Sequence, residues 1–445
     1  MPPSGPNSPY YGKVTRRRFM WLTGMPAVAM AAGCAANPVT GRSQFMTVSE
    51  QEEVQIDRQY AATQFSTDFG PVQDAALNTY VSGVGRSLGG VSHRPTVPYS
   101  FRVVNATYVN AYAFPGGSIA CTRGILLTLD DEAELAALLG HELGHVNMRH
   151  TAQQMSKSQV SNILVGGLSI LAEVAMPGLG QIASGLGSVG ASALLATYSR
   201  ENEREADALG TEYMVKAGYS PDGMVELMAM LNRLNKHKPS SMETLFATHP
   251  MSEERYQNAL AAASTTYAGA KGRSVYRERY MDHTARLRSI KGAIEEFQKG
   301  DAAMAKKNFT EAEPRYAAGL KQAPDDYAGL VCMARCQLEQ NKYGEAARYA
   351  HEAKSVYPQE AMARIVGGAA AMRLKDYESA YQDYQASQGM LPGVPVLIFR
   401  TGYALEALNR RPDAAREYRR YLQQVQQGEE AQHAAMRLRQ WGYAR

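Results

Sequence analysis

Residues 290–445 repeat with a period of 34 residues, and this repeat restricts that part of the chain to stacked helical units. The spacing is kept by small residues at Gly300, Ala334, Gly368 and Gly402, by aromatic residues at Phe309, Tyr343 and Tyr377, by Ala312, Ala346, Ala380 and Ala414, and by Pro324, Pro358 and Pro392. The small residues fall where two helices must approach closely. One unit of this length cannot bury its own apolar face, so about four units are expected to stack.

This pattern resembles the tetratricopeptide repeat, in which small residues mark the helix contact and proline follows the second helix. The resemblance implies a concave groove that binds an extended peptide or the surface of another protein. Cys332 and Cys336 lie four residues apart on one predicted helix. We expect them to be packed thiols rather than a disulfide or a metal pair.

The composition excludes several classes of protein. The 445 residues include 47 Lys and Arg against 43 Asp and Glu, and the net charge of +4 gives no case for a nucleic-acid binder. Four cysteines are too few for a disulfide-built scaffold. No apolar run reaches the length of about 18 residues that marks an unambiguous membrane-spanning helix.

Residues 1–34 have the pattern of an export signal. A basic segment at 16–18 precedes a short apolar stretch at 21–32, and small residues at 31–33 precede Cys34. The arginines resemble a twin-arginine signal, and the small residues resemble a bacterial lipobox, which would make Cys34 the lipidated N-terminus of the mature protein. The alternative is an unprocessed anchor helix with an incidental cysteine.

Residues 35–265 are predicted to form an α+β domain. After a linker at 35–47, apolar spacing predicts helices over 49–88, and helices dominate again from 130. Between them, strands are predicted at 99–104, 111–114 and 118–122, with a Pro-Gly-Gly turn before the last strand.

Two segments of the chain are less regular. Glycines at 269–274 predict a hinge, so residues 266–289 are assigned to a linker that precedes the repeat domain at 290–445. The Gly- and Ala-rich stretch at 163–196 is too short and too broken for a pair of spanning helices. Buried helices are expected there, with a mobile lid or a membrane-touching hairpin as alternatives.

The string His141-Glu142-Leu143-Gly144-His145 carries the chemistry. On a helix, residues four apart share a face, so both imidazoles can reach one metal ion. Glu142 lies on a neighbouring face, where a carboxylate can act as general base toward water at a zinc ion. The alternative is two surface histidines on a charged helix.

The segment from Arg200 to Asp207 offers acidic candidates for a third metal ligand. Glu203 and Asp207 lie four residues apart on a predicted helix, so Glu203 could bind zinc while Asp207 orients a ligand histidine. Glu201 and Glu205 are rivals, and a solvated acidic face is the alternative for all three. His150 is one residue short of the third-histidine position of another zinc-peptidase class, so we expect it to pack or cap.

These residues resemble the gluzincins, and in particular the family that includes BepA, LoiP and the CAAX prenyl proteases. The resemblance implies Glu203 as the third ligand. It also implies that Asn110, Ala111, Tyr112 and Ala113 form an edge strand that binds substrate; a covered structural strand is the alternative. His249 in Thr248-His249-Pro250 would either stabilise the oxyanion or occupy the fourth position of zinc. Arg255 belongs to the same element and is assigned to substrate binding.

The resulting hypothesis is a mostly helical α+β peptidase domain of gluzincin type with a small sheet, followed by an all-α repeat solenoid. It would be a zinc endopeptidase with one Zn²⁺ per chain, exported to the periplasm and lipid-anchored, and Ala35 after the cysteine favours the outer membrane by resemblance. Its partners would be unfolded or misassembled envelope proteins, and the outer-membrane assembly machinery through the repeats. The alternative function is a repeat-based chaperone or adaptor whose peptidase site is largely latent.

Overall fold

The computed structural model describes residues 34–164, 198–237 and 240–443. The predicted export signal at 1–33 and nearly all of the ambiguous stretch at 163–196 lie outside the described residues. The five strands of the described residues are β1 (Cys34–Ala36), β2 (Ser43–Phe45), β3 (Ser100–Val104), β4 (Ala111–Ala113) and β5 (Ser118–Thr122). Within the described residues, no helix combines the length and hydropathy needed to cross a membrane.

The helices of the first part of the chain surround β3, β4 and β5. They are α1 (Glu50–Thr67), α2 (Ala75–Gly90), α3 (Arg123–Leu126), α4 (Glu132–Met148), α5 (His150–Leu164), α6 (Arg200–Lys216), α7 (Asp222–His237), α8 (Glu243–Thr248), α9 (Glu253–Ser264) and α10 (Arg277–Ser289). The sheet has the order β3-β5-β4, with β3 parallel and β4 antiparallel to β5. The predicted helices and strands of this part are therefore present, and β4 lies at the edge of the sheet.

Helices α4 and α6 pack with their backbones in contact. A Cβ atom at Gly144 would lie 2.8 Å from Cα of Ala206, and one at Gly140 would lie 2.9 Å from the carbonyl oxygen of Gly210. Real side chains do not tolerate such distances, so glycine is required on α4 for this approach. The contact brings the His-Glu-Leu-Gly-His face of α4 directly against Glu203 on α6.

Two segments that the sequence assigns to linkers have regular structure. Residues 35–47 include the hairpin of β1 and β2, whose Asn37 amide donates to the carbonyl of Met148. Residues 266–289 include α10, whose Tyr280 is fully buried and donates to the carbonyl of Leu126. Both predictions were wrong at these positions because the helix and the hairpin depend on contacts with distant residues rather than on local apolar spacing.

The described residues of the second part of the chain form four helix pairs with the predicted period, followed by one further helix. The helices are α11 (Lys291–Ala305), α12 (Phe309–Gln322), α13 (Tyr327–Glu339), α14 (Tyr343–Val356), α15 (Met362–Arg373), α16 (Tyr377–Met390), α17 (Pro395–Ala407), α18 (Arg411–Leu422) and α19 (Glu429–Gln440). Within each pair, the turn contains a residue with positive φ, and these residues are also 34 apart: Lys307, Asn341, Lys375 and Asn409.

The small residues of the repeat have the predicted role. A Cβ atom at Gly300 would lie 2.5 Å from the ring of Tyr316, and Gly368 and Gly402 meet tyrosine rings in the same way. Cys332 and Cys336 are buried free thiols, as predicted. The fold class, a mostly helical α+β domain followed by an all-α repeat solenoid, is thus confirmed.

The two parts of the chain meet across a buried polar interface. Arg123, the first residue of α3, forms a two-pronged ion pair with Asp326 at 2.5 and 2.9 Å, and both side chains are almost fully buried. Ser66 of α1 donates to Glu360 of the repeats. Phe69, which follows α1, packs into the apolar core of the repeat helices. The repeats are therefore docked on the domain that carries the histidines.

Candidate active site

Helix α4 presents the two histidines of the motif on one buried face. Its N-terminus is capped by Asp131, whose side chain accepts from the backbone N–H of Glu134. The side chains of His141 and His145 are almost completely buried, and their Nε2 atoms lie 3.1 Å apart. Two buried imidazole nitrogens at this distance indicate a site built to share one cation.

Helix α6 supplies a carboxylate to the same point. Oε1 of Glu203 lies 3.3 Å from Nε2 of His145, and Oε2 lies 3.7 Å from Nε2 of His141. Burial opposes ionisation of Glu203, but the neighbouring His249 and His141 outweigh it and hold the pKa of this carboxyl well below its usual value. Its rival Glu201 is exposed on the other side of the helix. Among the three acidic candidates, Glu203 is the one that the fold brings to the histidines.

Asp207 and Arg255 lie directly behind this cluster. Oδ1 of Asp207 is 2.8 Å from Nδ1 of His141, and Nε of Arg255 donates to Oδ2 of Asp207 at 2.7 Å. A second nitrogen of Arg255 lies 2.6 Å from Oε2 of Glu203. The assignment of Arg255 to substrate binding is therefore wrong: its guanidinium is buried against two carboxylates and holds them in place.

His249 completes the cluster from the loop after α8. Its Nδ1 lies 3.1 Å from Oε1 of Glu203 and 3.3 Å from Nε2 of His141. One ligand atom from each of His141, His145, Glu203 and His249 can be chosen so that all four lie within 4.8 Å of one another. Three imidazoles and one carboxylate in such a group are the donor set that zinc prefers.

Glu142 points toward the same cluster from its own face of α4. Its Oε1 lies 3.7 Å from Nε2 of His249, while its buried Oε2 finds no hydrogen-bond partner among the described residues. Burial is the largest influence on this carboxyl and raises its pKa. A buried carboxylate oxygen without a partner is available to accept a proton from a bound water.

Comparison with known proteins identifies this domain. The model of Peptidase family M48 matches residues 74–263, which span the edge strand, the His-Glu-Leu-Gly-His helix and α6. Residues 74–263 belong to peptidase family M48. The chain is a metalloendopeptidase, and the resemblance to this gluzincin family predicted from the sequence is confirmed.

Curated relatives match beyond and within the M48 domain. The Beta-barrel assembly-enhancing protease of Escherichia coli (strain K12) is 28% identical over 347 residues, which cover 73% of this chain and 70% of that protein. Metalloprotease YcaL of the same strain is 29% identical over 213 residues, 48% of this chain and 80% of its own. Metalloprotease LoiP of the same strain is 27% identical over 217 residues, which cover 48% of this chain and 79% of LoiP. The first of these matches extends into the repeats.

His150 lies closer to the M48 site than its spacing predicts. On a continuous helix, its side chain would point away from the metal face. Arg149 has a left-handed backbone conformation (φ 62°), which ends α4 and turns His150 back over His145. Nδ1 of His150 lies 2.9 Å from Nδ1 of His145. His150 thus packs against His145 and is not among the four described residues that could hold a metal ion.

The edge strand β4 lies beside α4 of the M48 domain. Asn110 and Phe114 form hydrogen-bonded pairs with β5, so the backbone groups of Ala111 and Ala113 point away from the sheet. The buried side-chain amide of Asn110 has no hydrogen-bond partner within the part of the chain that the structure describes. Asn110 and the three residues of β4 are at most 6% exposed, so this edge is covered in the structure.

Asp68 connects α1 to the same strand. It accepts hydrogen bonds from the hydroxyls of Tyr112 and Tyr108 and from the amide of Gln64. Burial dominates over these donors and raises the pKa of Asp68 from 3.8 to about 6. The neutral carboxyl is thus the favoured form in the fold at mildly acidic pH.

We expect Asp68 to make the stability of the chain depend on pH. Because the pKa of Asp68 is higher in the folded state, its contribution to the free energy of unfolding is fully present below about pH 4. This contribution is lost as the pH rises to about 6, a decrease of about 3 kcal/mol. Unfolding free energies of wild type and Asp68→Asn at pH 4 and pH 7 would measure it. From pH 4 to pH 7, the stability of Asp68→Asn should increase relative to that of the wild type. The same difference in unfolding free energy at both pH values would contradict the prediction.

Proposed function

We propose that this protein is a zinc-dependent endopeptidase that binds one Zn²⁺ per chain through His141, His145 and Glu203. The observation that carries the proposal is the convergence of buried ligand atoms from two helices, with an unpartnered carboxylate oxygen of Glu142 beside them. When bound, a zinc ion would supply Lewis-acid chemistry that acidifies water and polarises a peptide carbonyl.

The chain's own residues would perform the remaining tasks. Glu142 accepts the proton of the attacking water and later delivers it to the leaving amine. Asp207 fixes the ring of His141 through Nδ1, and Arg255 holds both Asp207 and Glu203. Asn110 and the outward backbone groups of Ala111 and Ala113, on either side of Tyr112, would bind the substrate as an added strand, which tolerates many side-chain sequences.

We infer that His249 occupies the fourth zinc position in a latent state. Its Nδ1 approaches two other ligands within 3.3 Å, whereas its Nε2 lies 3.7 Å from Glu142. An imidazole on the metal excludes the water that hydrolysis requires. This geometry favours the fourth-ligand role over the oxyanion role.

Removal of the His249 imidazole should therefore raise casein cleavage. We expect His249→Ala to cleave casein faster than the wild type at equal zinc content, in a time course of fragment release. Slower cleavage by His249→Ala would support the oxyanion role instead. Wild-type rates would show that His249 has neither role in cleavage.

The substrates we propose are misfolded or stalled outer-membrane proteins, which the repeats recruit. Support comes from the name of the Beta-barrel assembly-enhancing protease, which matches over both the M48 domain and part of the repeats. The location proposed is the periplasm, with Cys34 lipidated and anchored to the outer membrane after export by a twin-arginine-like signal. The assembly machinery for outer-membrane proteins is the second partner that the repeats would contact.

A chaperone or adaptor with a largely latent site is the second candidate, and the buried position of His249 among the ligands favours it. The two functions separate in a deletion strain that carries either wild type or Glu142→Gln. If proteolysis is the main task, wild type clears stalled outer-membrane proteins and Glu142→Gln does not. Full rescue by Glu142→Gln would favour the adaptor.

A further inference from the structure

We propose that His150 and Glu205 are positioning residues, which set the orientation and the basicity of the zinc ligand His145. The M48 site holds its two helix histidines in different ways. His141 is oriented by the carboxylate of Asp207, at 2.8 Å from its Nδ1. Among the described residues, Nδ1 of His145 faces no carboxylate and lies instead 2.9 Å from Nδ1 of His150.

The contact of the two rings determines where their protons lie. Nε2 of His145 faces Glu203 and His141, so metal binding requires this nitrogen to be free of a proton. The proton of His145 is then on Nδ1 and is donated to Nδ1 of His150. His150 consequently carries its own proton on Nε2, which lies 3.0 Å from Oε2 of Glu205. Each nitrogen of the two rings therefore either donates or accepts one hydrogen bond or binds the metal. The chain of hydrogen bonds ends at the carboxylate of Glu205.

The surroundings hold these rings in one arrangement. The side chain of His150 is fully buried, and Tyr198 stacks on the ring of His145 at a centroid distance of 3.8 Å. The left-handed residue Arg149, which aims His150 at His145, is itself held by Glu53 and by the carbonyl of Val48. A non-glycine residue in this conformation is disfavoured in isolation, so the surrounding contacts are what maintain it.

Glu205 differs from Glu203 in its exposure. Its side chain is 38% exposed, and its Oε2 accepts from Nε2 of His150 at 3.0 Å. Through His150, this carboxylate makes His145 a better electron donor to a metal, as Asp207 does directly for His141. Helix α6 therefore carries three acidic residues with different roles. Glu203 is a metal ligand, Asp207 orients His141 directly, and Glu205 orients His145 through His150.

Zinc affinity provides a test that does not depend on cleavage. It would be measured on residues 35–445 by competition with a chromophoric chelator, in a Glu142→Gln background that prevents self-digestion. We expect His150→Ala to weaken zinc binding by a factor of about 10–100. His150→Asn should recover part of this loss, since the amide oxygen of Asn can accept the proton from His145. His93→Ala is the matched control, because His93 contacts the hydroxyl of Tyr213 away from the cluster, and its zinc affinity should equal that of the parent.

Glu205→Gln keeps the inference testable if His150→Ala does not fold. This half-exposed residue tolerates the change, and the loss of its charge should weaken zinc binding several-fold. Parental affinity in Glu205→Gln, parental affinity in His150→Ala, or no recovery in His150→Asn would each overturn the inference. The inference rests on the proposed zinc site. The Glu142→Gln parent protein tests that site separately: if it binds no zinc, the zinc site itself is contradicted.

Discussion

Casein cleavage by residues 35–445 should fall by a factor of about 10²–10⁴ when Glu142 is replaced by Gln, as expected for loss of a general base. Gln has nearly the same shape as Glu, so the packing of α4 should be preserved. It has no basic carboxylate oxygen, however, so it cannot take a proton from water. The expected result is therefore a protein with the wild-type fold and metal content that does not hydrolyse peptides.

The measurement compares initial rates of fragment release at equal zinc content. Glu201→Gln is the matched control, because Glu201 is an exposed acidic residue on α6, away from the cluster, and should cleave as the wild type does. Cleavage by Glu142→Gln within a factor of about two of the wild type would contradict the role of Glu142. Cleavage that persists after zinc removal would indicate a contaminating peptidase.

Breaking the ion pair between Arg123 and Asp326 should cost about 3–5 kcal/mol of unfolding free energy, because one buried charge is left without its partner. Both side chains are at most 5% exposed, and two hydrogen bonds join them. The loss should be larger for Asp326→Ala than for Arg123→Ala, because the Asp326 side chain also caps α13 by accepting from the backbone N–H of Gly329. It should be clearly smaller than additive in the double variant, in which no unpaired charge is buried.

Denaturant unfolding of the four proteins would measure this coupling. Arg348→Ala is the control within the repeats, since Arg348 pairs with Glu345 and Glu352 on the surface and should change stability by about 0–1 kcal/mol. Additive effects of the two single variants would show that the pair does not hold the repeats on the M48 domain.

Much of the site follows from local spacing in the sequence. His141 and His145 share a helix face because they are four residues apart, and Asp207 lies one turn after Glu203 for the same reason. The strand at Asn110–Ala113 is delimited by the turn that follows it. The repeats are recognisable because each helix contact needs a small residue, so the spacing of 34 is visible directly in the sequence.

The residues that sequence reasoning missed depend on contacts between distant segments. His150 approaches His145 because Arg149 is left-handed, and this conformation depends on Glu53, nearly 100 positions away. Arg255 was assigned to substrate binding because nothing local shows that its partners are Asp207 and Glu203. No local sequence feature marks this break, because arginine does not favour the left-handed conformation that Arg149 adopts.

The interface between the M48 domain and the repeats has the same origin. Arg123 and Asp326 are 203 residues apart, and each would be an ordinary exposed residue on its own element. Likewise, α10 has an apolar surface only through Tyr280, Leu287 and a few neighbours, so its position depends on the domain it covers. The residue pattern of a single helix or strand cannot predict contacts between residues on distant elements.

The measurement that tests the zinc-peptidase account most directly is the metal content of purified residues 35–445 by mass spectrometry, beside casein cleavage on the same samples. The account predicts one zinc per chain in the wild type and in Glu142→Gln, and loss of zinc together with cleavage in Glu203→Ala. A wild type that contains no zinc and cannot be loaded with it, or a Glu203→Ala variant that keeps stoichiometric zinc and full cleavage, would contradict it.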